Sequence, residues 1–273
     1  MKAIDFSGEF RRYVLENLQG KPEMDEEEAD EFAHRLYHQW METPMDWLDG
    51  KTPQAYFEQF DDPRELIAAV GEYLKKDWDI PESLMDRLSA LAKKDFSTLV
   101  EAVRNPKNSD TLRAVLLGLL SEAECPEVDA ICEEAILRAG QESEFSEMAV
   151  EILSYGCAEE TLEKLIRRYP AANDYAKLLL LDVLCNYPGD DRVYSYCMER
   201  LFADPENRAL YANYLLKLGD DRAVEPLQRL LGLTDLTYLD YLELRNAVEA
   251  LGGDPGEERA FYGDPDYEAM RNL

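Results

Sequence analysis

The stretch Leu218-Gly219-Asp220-Asp221-Arg222-Ala223-Val224-Glu225-Pro226-Leu227-Gln228-Arg229-Leu230-Leu231 reads as the end of one helix, a tight turn and the start of another. Glycine closes a helix without steric cost in the left-handed region. Aspartate then caps the next helix by accepting from its free N–H groups. Ala223, Val224 and Leu227 fall at the spacing of one packed helical face. Pro226 sits too far inside this second helix to be free, and predicts a bend there.

The same pattern recurs on either side. Leucines that close a first helix fall at Leu120, Leu153, Leu184, Leu218 and Leu251, separated by 33, 31, 34 and 33 residues. Each is followed by a short polar or glycine-bearing turn and, up to the last, by a second amphipathic segment such as Val128–Leu137. Two short helices at this period cannot bury their apolar faces alone, whereas stacked neighbours can. Alternating β-branched runs with hairpin turns are absent, so the chain is expected to be all-α.

Residues 218–231, with Leu244-Arg245-Asn246-Ala247-Val248-Glu249-Ala250-Leu251-Gly252 after them, resemble the HEAT-like repeats of the phycobilisome-lyase type. The resemblance is strong over 207–256, fair over 110–206 and fades toward the N-terminus, where Ser83–Arg104 reads as one more degenerate unit. It implies a right-handed α-solenoid of helical hairpins and a binding scaffold. It carries over no lyase activity, because the repeat motif holds no catalytic residues. Residues 81–273 are expected to be repeats, and 1–80 an atypical helical N-terminal cap.

Acid-proline pairs punctuate further helix starts: Asp62-Pro63, Asp204-Pro205, Asp254-Pro255 and Asp264-Pro265, with Thr52-Pro53 of the same type and Asp79-Ile80-Pro81-Glu82 as another candidate. Glu65 and Glu257 complete a capping box at the first and third of these. The acidic run Glu23–Glu31 reads as a helix start, with Asp25 as the cap and Glu28 three residues on. Asp49-Gly50 marks a tight turn.

Charge narrows the function. The 273 residues hold 58 acids and 29 bases, a formal charge of −29. Residues 1–104 carry net −11 and residues 105–273 net −18, so the acidity belongs to the whole surface. Such a chain opposes nucleic acid and anionic membrane. It favours a basic protein or peptide as partner, an inhibitor or immunity-type protein being one form of that. No apolar run reaches about 18 residues, and the first residues lack a signal-peptide core, which gives a cytoplasmic expectation.

Candidate chemistry is sparse. Cys125, Cys132, Cys157, Cys185 and Cys197 form no CxxC pair and read as buried, inert thiols. His34 and His38 stand four apart on a predicted helix, in a column with Glu27 and Glu31, opposite an apolar stripe of Ala29, Phe32, Ala33, Leu36 and Trp40. That column is a weak metal candidate on a solvated face, so no metal and no cofactor are expected. The acid pairs Asp61-Asp62, Asp190-Asp191 and Asp220-Asp221 are explained by helix starts without catalysis. Twelve of the sixteen tyrosines lie between Tyr155 and Tyr267. Tyr187, Tyr194, Tyr196, Tyr211, Tyr214, Tyr238 and Tyr241 are the candidate binding residues, against the reading that each ring fills a gap between helices. The expectation is a non-catalytic scaffold. The alternative is a HEAT-like lyase or other small-molecule enzyme with a pocket on its concave face. A HEAT-type DNA glycosylase would need a basic concave face, which a single Arg167-Arg168 pair does not make.

Overall fold

A computed structural model describes residues 3–18 and 25–271, with the start of the acidic run (Glu23-Met24) outside the described residues. Described residues form fifteen α-helices and no β-strand. In chain order they are α1 (Phe6–Leu18), α2 (Glu26–Glu42), α3 (Pro63–Lys75), α4 (Glu82–Ala92), α5 (Ser97–Arg104), α6 (Asp110–Glu122), α7 (Val128–Arg138) and α8 (Glu144–Tyr155). Then come α9 (Glu159–Arg168), α10 (Asp174–Leu184), α11 (Asp191–Ala203), α12 (Arg208–Leu218), α13 (Val224–Leu231), α14 (Tyr238–Ala250) and α15 (Pro265–Arg271). Two compact units divide the chain: Met1–Ile131 with Ser143–Met148, and Cys132–Glu142 with Ala149–Leu273.

In the first unit, helices that follow one another in sequence pack together: α1 on α2, α3 on α4 and α5, and α5 on α6. Its N-terminal part has an aromatic core. Phe6 meets the rings of Trp40, Trp47 and Phe57 with centroids 6.2, 5.6 and 5.5 Å away. Tyr73, fully buried, donates its hydroxyl to the Ile4 carbonyl at 2.7 Å and so ties the chain start to α3. Asp25 caps α2 in a complete capping box with Glu28. The turn at Asp49-Gly50 is left-handed at both residues, φ 55° and 77°. Glycine fits the second of these at no cost.

In the second unit α10, α12 and α14 end at or beside Leu184, Leu218 and Leu251. Between them stand α11 and α13; α12 packs on both α11 and α14. Buried leucine, valine and alanine supply the interior, including Leu180, Leu184, Leu215, Leu227 and Leu244. Gly219 takes φ 64° at the end of α12, as the turn requires. Gly253 is small for a different reason: a Cβ there would collide with the Val224 and Val248 side chains.

Three expectations are corrected. Pro226 does not bend a helix. The turn capped by Asp220 is a 3-10 turn over Asp221–Ala223, so α13 begins at Val224 and Pro226 falls in its first turn. N–H groups there have no intrahelical partner to lose. Asp254-Pro255 starts no helix. Gly256 takes φ 74° and donates to the Asp254 carboxylate, and the chain runs irregularly to α15. Only six residues separate Gly256 from Gly263, too few for a packed helix between two breakers. Asp204-Pro205 opens a 3-10 turn rather than α12 directly, and the Asp204 carboxylate binds Arg200, Asn207 and Tyr211 instead of capping.

The Asp-Asp-Arg triplets at 190–192 and 220–222 are repeated couplings between elements 29 and 31 residues apart. Asp190 accepts from the Arg192 N–H at 2.8 Å, and the Arg192 guanidinium spans Asp190 at 2.7 Å and Glu163 of α9 at 2.6 Å. Thirty residues later Asp220 accepts from the Arg222 N–H at 3.0 Å, and Arg222 reaches back to Asp191 at 2.7 Å. One aspartate of each pair therefore caps, and Asp191 also binds the following hairpin.

Hydrogen bonds from Arg192 and then Arg167 hold the Glu163 carboxyl at about 2, against an ordinary 4.5. A carboxylate depressed in the folded state stabilises fully above its unfolded pKa, and that contribution disappears as pH falls through the folded value. Glu163→Gln is therefore expected to lower stability at neutral pH, with the gap to wild type shrinking between about pH 4.5 and 2. Urea unfolding along a pH series checks this; a gap constant down to about pH 2 contradicts it.

Candidate functional site

An acidic groove lies in the first unit, where α2, the 3-10 turn Tyr56–Gln59 and α4 converge. It encloses about 480 Å³. Glu42 comes from α2, Glu58 from the turn, and Glu82 and Asp86 from α4. Glu82 and Asp86 stand four apart and so share one helical face. All four are exposed, and none is in an ion pair among the described residues. His38 and Arg87 stand in the same wall. Arg87 is already engaged: its Nε donates to the Phe60 carbonyl at 2.9 Å and its guanidinium binds Asp61. The groove is left with surplus negative charge.

Next to it lies a smaller apolar recess of about 240 Å³, formed with Phe6, Phe10, Trp40, Ile80 and Pro81. Tyr37, Met41, Glu82 and Ser83 line both spaces, so carboxylates and aromatic rings stand side by side. Phe10 meets Tyr37 edge-on at 5.2 Å and Trp40 at 5.3 Å. Ser83 is fixed by donating to the Pro53 carbonyl at 3.2 Å. Burial, and then the Glu82 charge, raises the Tyr37 phenol above its ordinary pKa of 10.0, so Tyr37 stays a neutral donor. Aromatic faces beside unneutralised carboxylates suit an organic cation, whose charge meets oxygen while its methylene stem covers the rings.

The tyrosines singled out in the sequence are distributed differently from a single docking face. Tyr211, Tyr214 and Tyr241 are buried, with at most 3 % of their surface exposed, and belong to the interior. Each ring fills space between helices, so none of the three is available at the surface. Tyr187, Tyr194, Tyr196 and Tyr238 are half-buried and tie neighbouring hairpins together. Tyr187 donates to the Leu153 carbonyl, 34 residues earlier. Tyr196 stacks on Tyr169 at 4.1 Å and 14°. Tyr194 lies under the Arg222 guanidinium at 4.4 Å. Tyr238 and Tyr241 seat the irregular C-terminal segment: Phe261 packs on them at 5.5 and 4.9 Å, and Tyr267 meets Tyr238 at 5.0 Å. The most exposed tyrosines are Tyr155 and Tyr262, at 88 % and 75 %.

Leu36 and Trp40 are buried on the inner face of α2, while Glu27, Glu31, His34 and His38 are exposed on the other side. His34 and His38 have ring centroids 6.4 Å apart, and no group of three or more metal-ligating side chains stands together among the described residues. His38 instead edges the acidic groove. Four of the five cysteines are buried and Cys157 is half-exposed. No described helix is long and apolar enough to cross a membrane.

Sequence reasoning missed the groove. The i, i+4 column Glu82-Asp86-Ala90 was a visible signal for one wall. Glu58 was not, because only the fold of the 3-10 turn carries it across to α2. In comparisons with known proteins, no family model, curated protein or solved structure matches this chain.

Proposed function

We propose that the helical hairpins are HEAT-like repeats and that the protein is a non-catalytic cytoplasmic scaffold for a basic protein or peptide. The observation that carries this reading is the α2–α4 groove, where four carboxylates in no ion pair among the described residues border an aromatic recess. The diffuse charge of −29 steers a cationic partner from a distance. The groove then holds a lysine or arginine side chain, with the head among Glu42, Glu58, Glu82 and Asp86 and the stem along Tyr37, Met41 and Phe10. Nothing in this arrangement requires a bond to be broken.

Titration with a fluorescently labelled arginine- and lysine-rich peptide tests the reading. Affinity is expected to fall by more than tenfold as salt rises from about 50 to 500 mM, because screening shortens the reach of the carboxylates. It is not expected to vanish, since the ring contacts are insensitive to salt. Affinity that is independent of salt contradicts electrostatic capture.

A further inference from the structure

Cys185 ends α10 and Cys197 lies within α11, and the two sulfurs are 3.3 Å apart with neither residue exposed to solvent. One thiol donates to the other. The mutual hydrogen bond, and then burial, raises the Cys185 thiol well above its ordinary pKa, which keeps it protonated while the hairpin is closed. The two residues are twelve apart in sequence and joined by the turn that contains Asp190. Closing that gap to a bond length of about 2.05 Å needs a movement of about 1.3 Å shared between two side chains.

We propose that Cys185 and Cys197 are a covalent modification site, an intrachain dithiol that a small-molecule disulfide oxidises to a staple between α10 and α11. With oxidised glutathione as that reagent, a thiolate of the opened hairpin attacks one glutathione sulfur and releases reduced glutathione. The second cysteine then attacks the mixed disulfide and releases another. Two thiols lose two electrons and two protons, and one oxidised glutathione becomes two reduced ones. Because both sulfurs are buried, the rate follows opening of the hairpin, not the thiolate fraction of the closed state.

The full-length protein is equilibrated in glutathione buffers of increasing oxidised fraction until its composition stops changing. It is then quenched in acid, alkylated in denaturant and cleaved with trypsin. Cleavage after Arg192 separates the two cysteines in sequence, so their peptides stay joined only through sulfur. The expected product has lost two of its five alkylatable thiols together. It yields that joined pair of peptides, and amides of α11 exchange more slowly than in the reduced protein. Recovery of Cys185 and Cys197 as free thiols at the oxidising end overturns the proposal. So does their appearance only as separate glutathione adducts, or a linked pair with exchange in α11 unchanged. No substitution is needed, so failure of a variant to fold does not confuse the result.

Discussion

Tyr211→Ala is expected to destabilise the second unit by about 3–5 kcal/mol, the range for truncating a fully buried large ring. Tyr211 has no exposed surface, and its hydroxyl donates to the Asp204 carboxylate at 2.8 Å while accepting from Arg200 at 3.3 Å. Burial opposes ionisation of Asp204, yet hydrogen bonds from Tyr211, Asn207 and Arg200 outweigh it and leave its pKa below the ordinary value. Truncation therefore opens a cavity and removes one of the groups that keep a half-buried carboxylate charged. Tyr211→Phe, which keeps the ring, is expected to cost about 1–2 kcal/mol. Tyr194→Ala removes a half-buried ring whose main partner is the Arg222 guanidinium, and is expected to cost about 1 kcal/mol. Urea unfolding followed by circular dichroism separates the three. Equal losses for Tyr211→Ala and Tyr194→Ala would mean that the interior around α12 is not as described.

Those two tyrosines also show where the sequence stops being legible. The five leucines and the turns after them placed the ends of α6, α8, α10, α12 and α14, because a glycine or a capped turn acts on its own few residues. Which tyrosines are interior depends on how the helices around each ring pack, and composition cannot reveal that. Tyr194 and Tyr211 look alike in sequence, but the first is covered by Arg222 of the next hairpin and the second by its own interior. Pro226 illustrates a different gap. It read as interior only because the Asp220 cap was assumed to start an α-helix, whereas three residues of 3-10 turn moved the start. The Asp254 capping box was locally sound, but glycines at 256 and 263 denied it a helix to cap. Half of the groove was legible, as the Glu82-Asp86 column on α4. The other half depends on where a four-residue turn places Glu58.

Reversing that column, Glu82→Lys with Asp86→Lys, is expected to weaken binding of the basic peptide by about thirty- to hundredfold, or about 2–3 kcal/mol. Both positions are exposed on α4, so the change removes no buried contact. The effect arises because two charges that attract the peptide become two that repel it and offset the remaining Glu42 and Glu58, while Arg87 in the same wall is held by Phe60 and Asp61. The loss is expected to shrink as salt rises, since repulsion is screened together with attraction. Circular dichroism of the variant should match wild type. A double variant that folds and still binds within threefold of wild type removes the groove from the account.

The most direct measurement compares two variants of equal charge. One neutralises the groove: Glu42→Gln, Glu58→Gln, Glu82→Gln and Asp86→Asn. The other neutralises four exposed acids elsewhere, Glu142, Glu147, Glu151 and Glu160, each to glutamine. Both lose the same net charge, so steering by the whole surface weakens equally. Peptide affinity at about 150 mM salt is expected to drop at least tenfold for the groove variant and less than twofold for the control. Equal losses in the two would contradict the central claim and leave the acidity of this protein without a localised site.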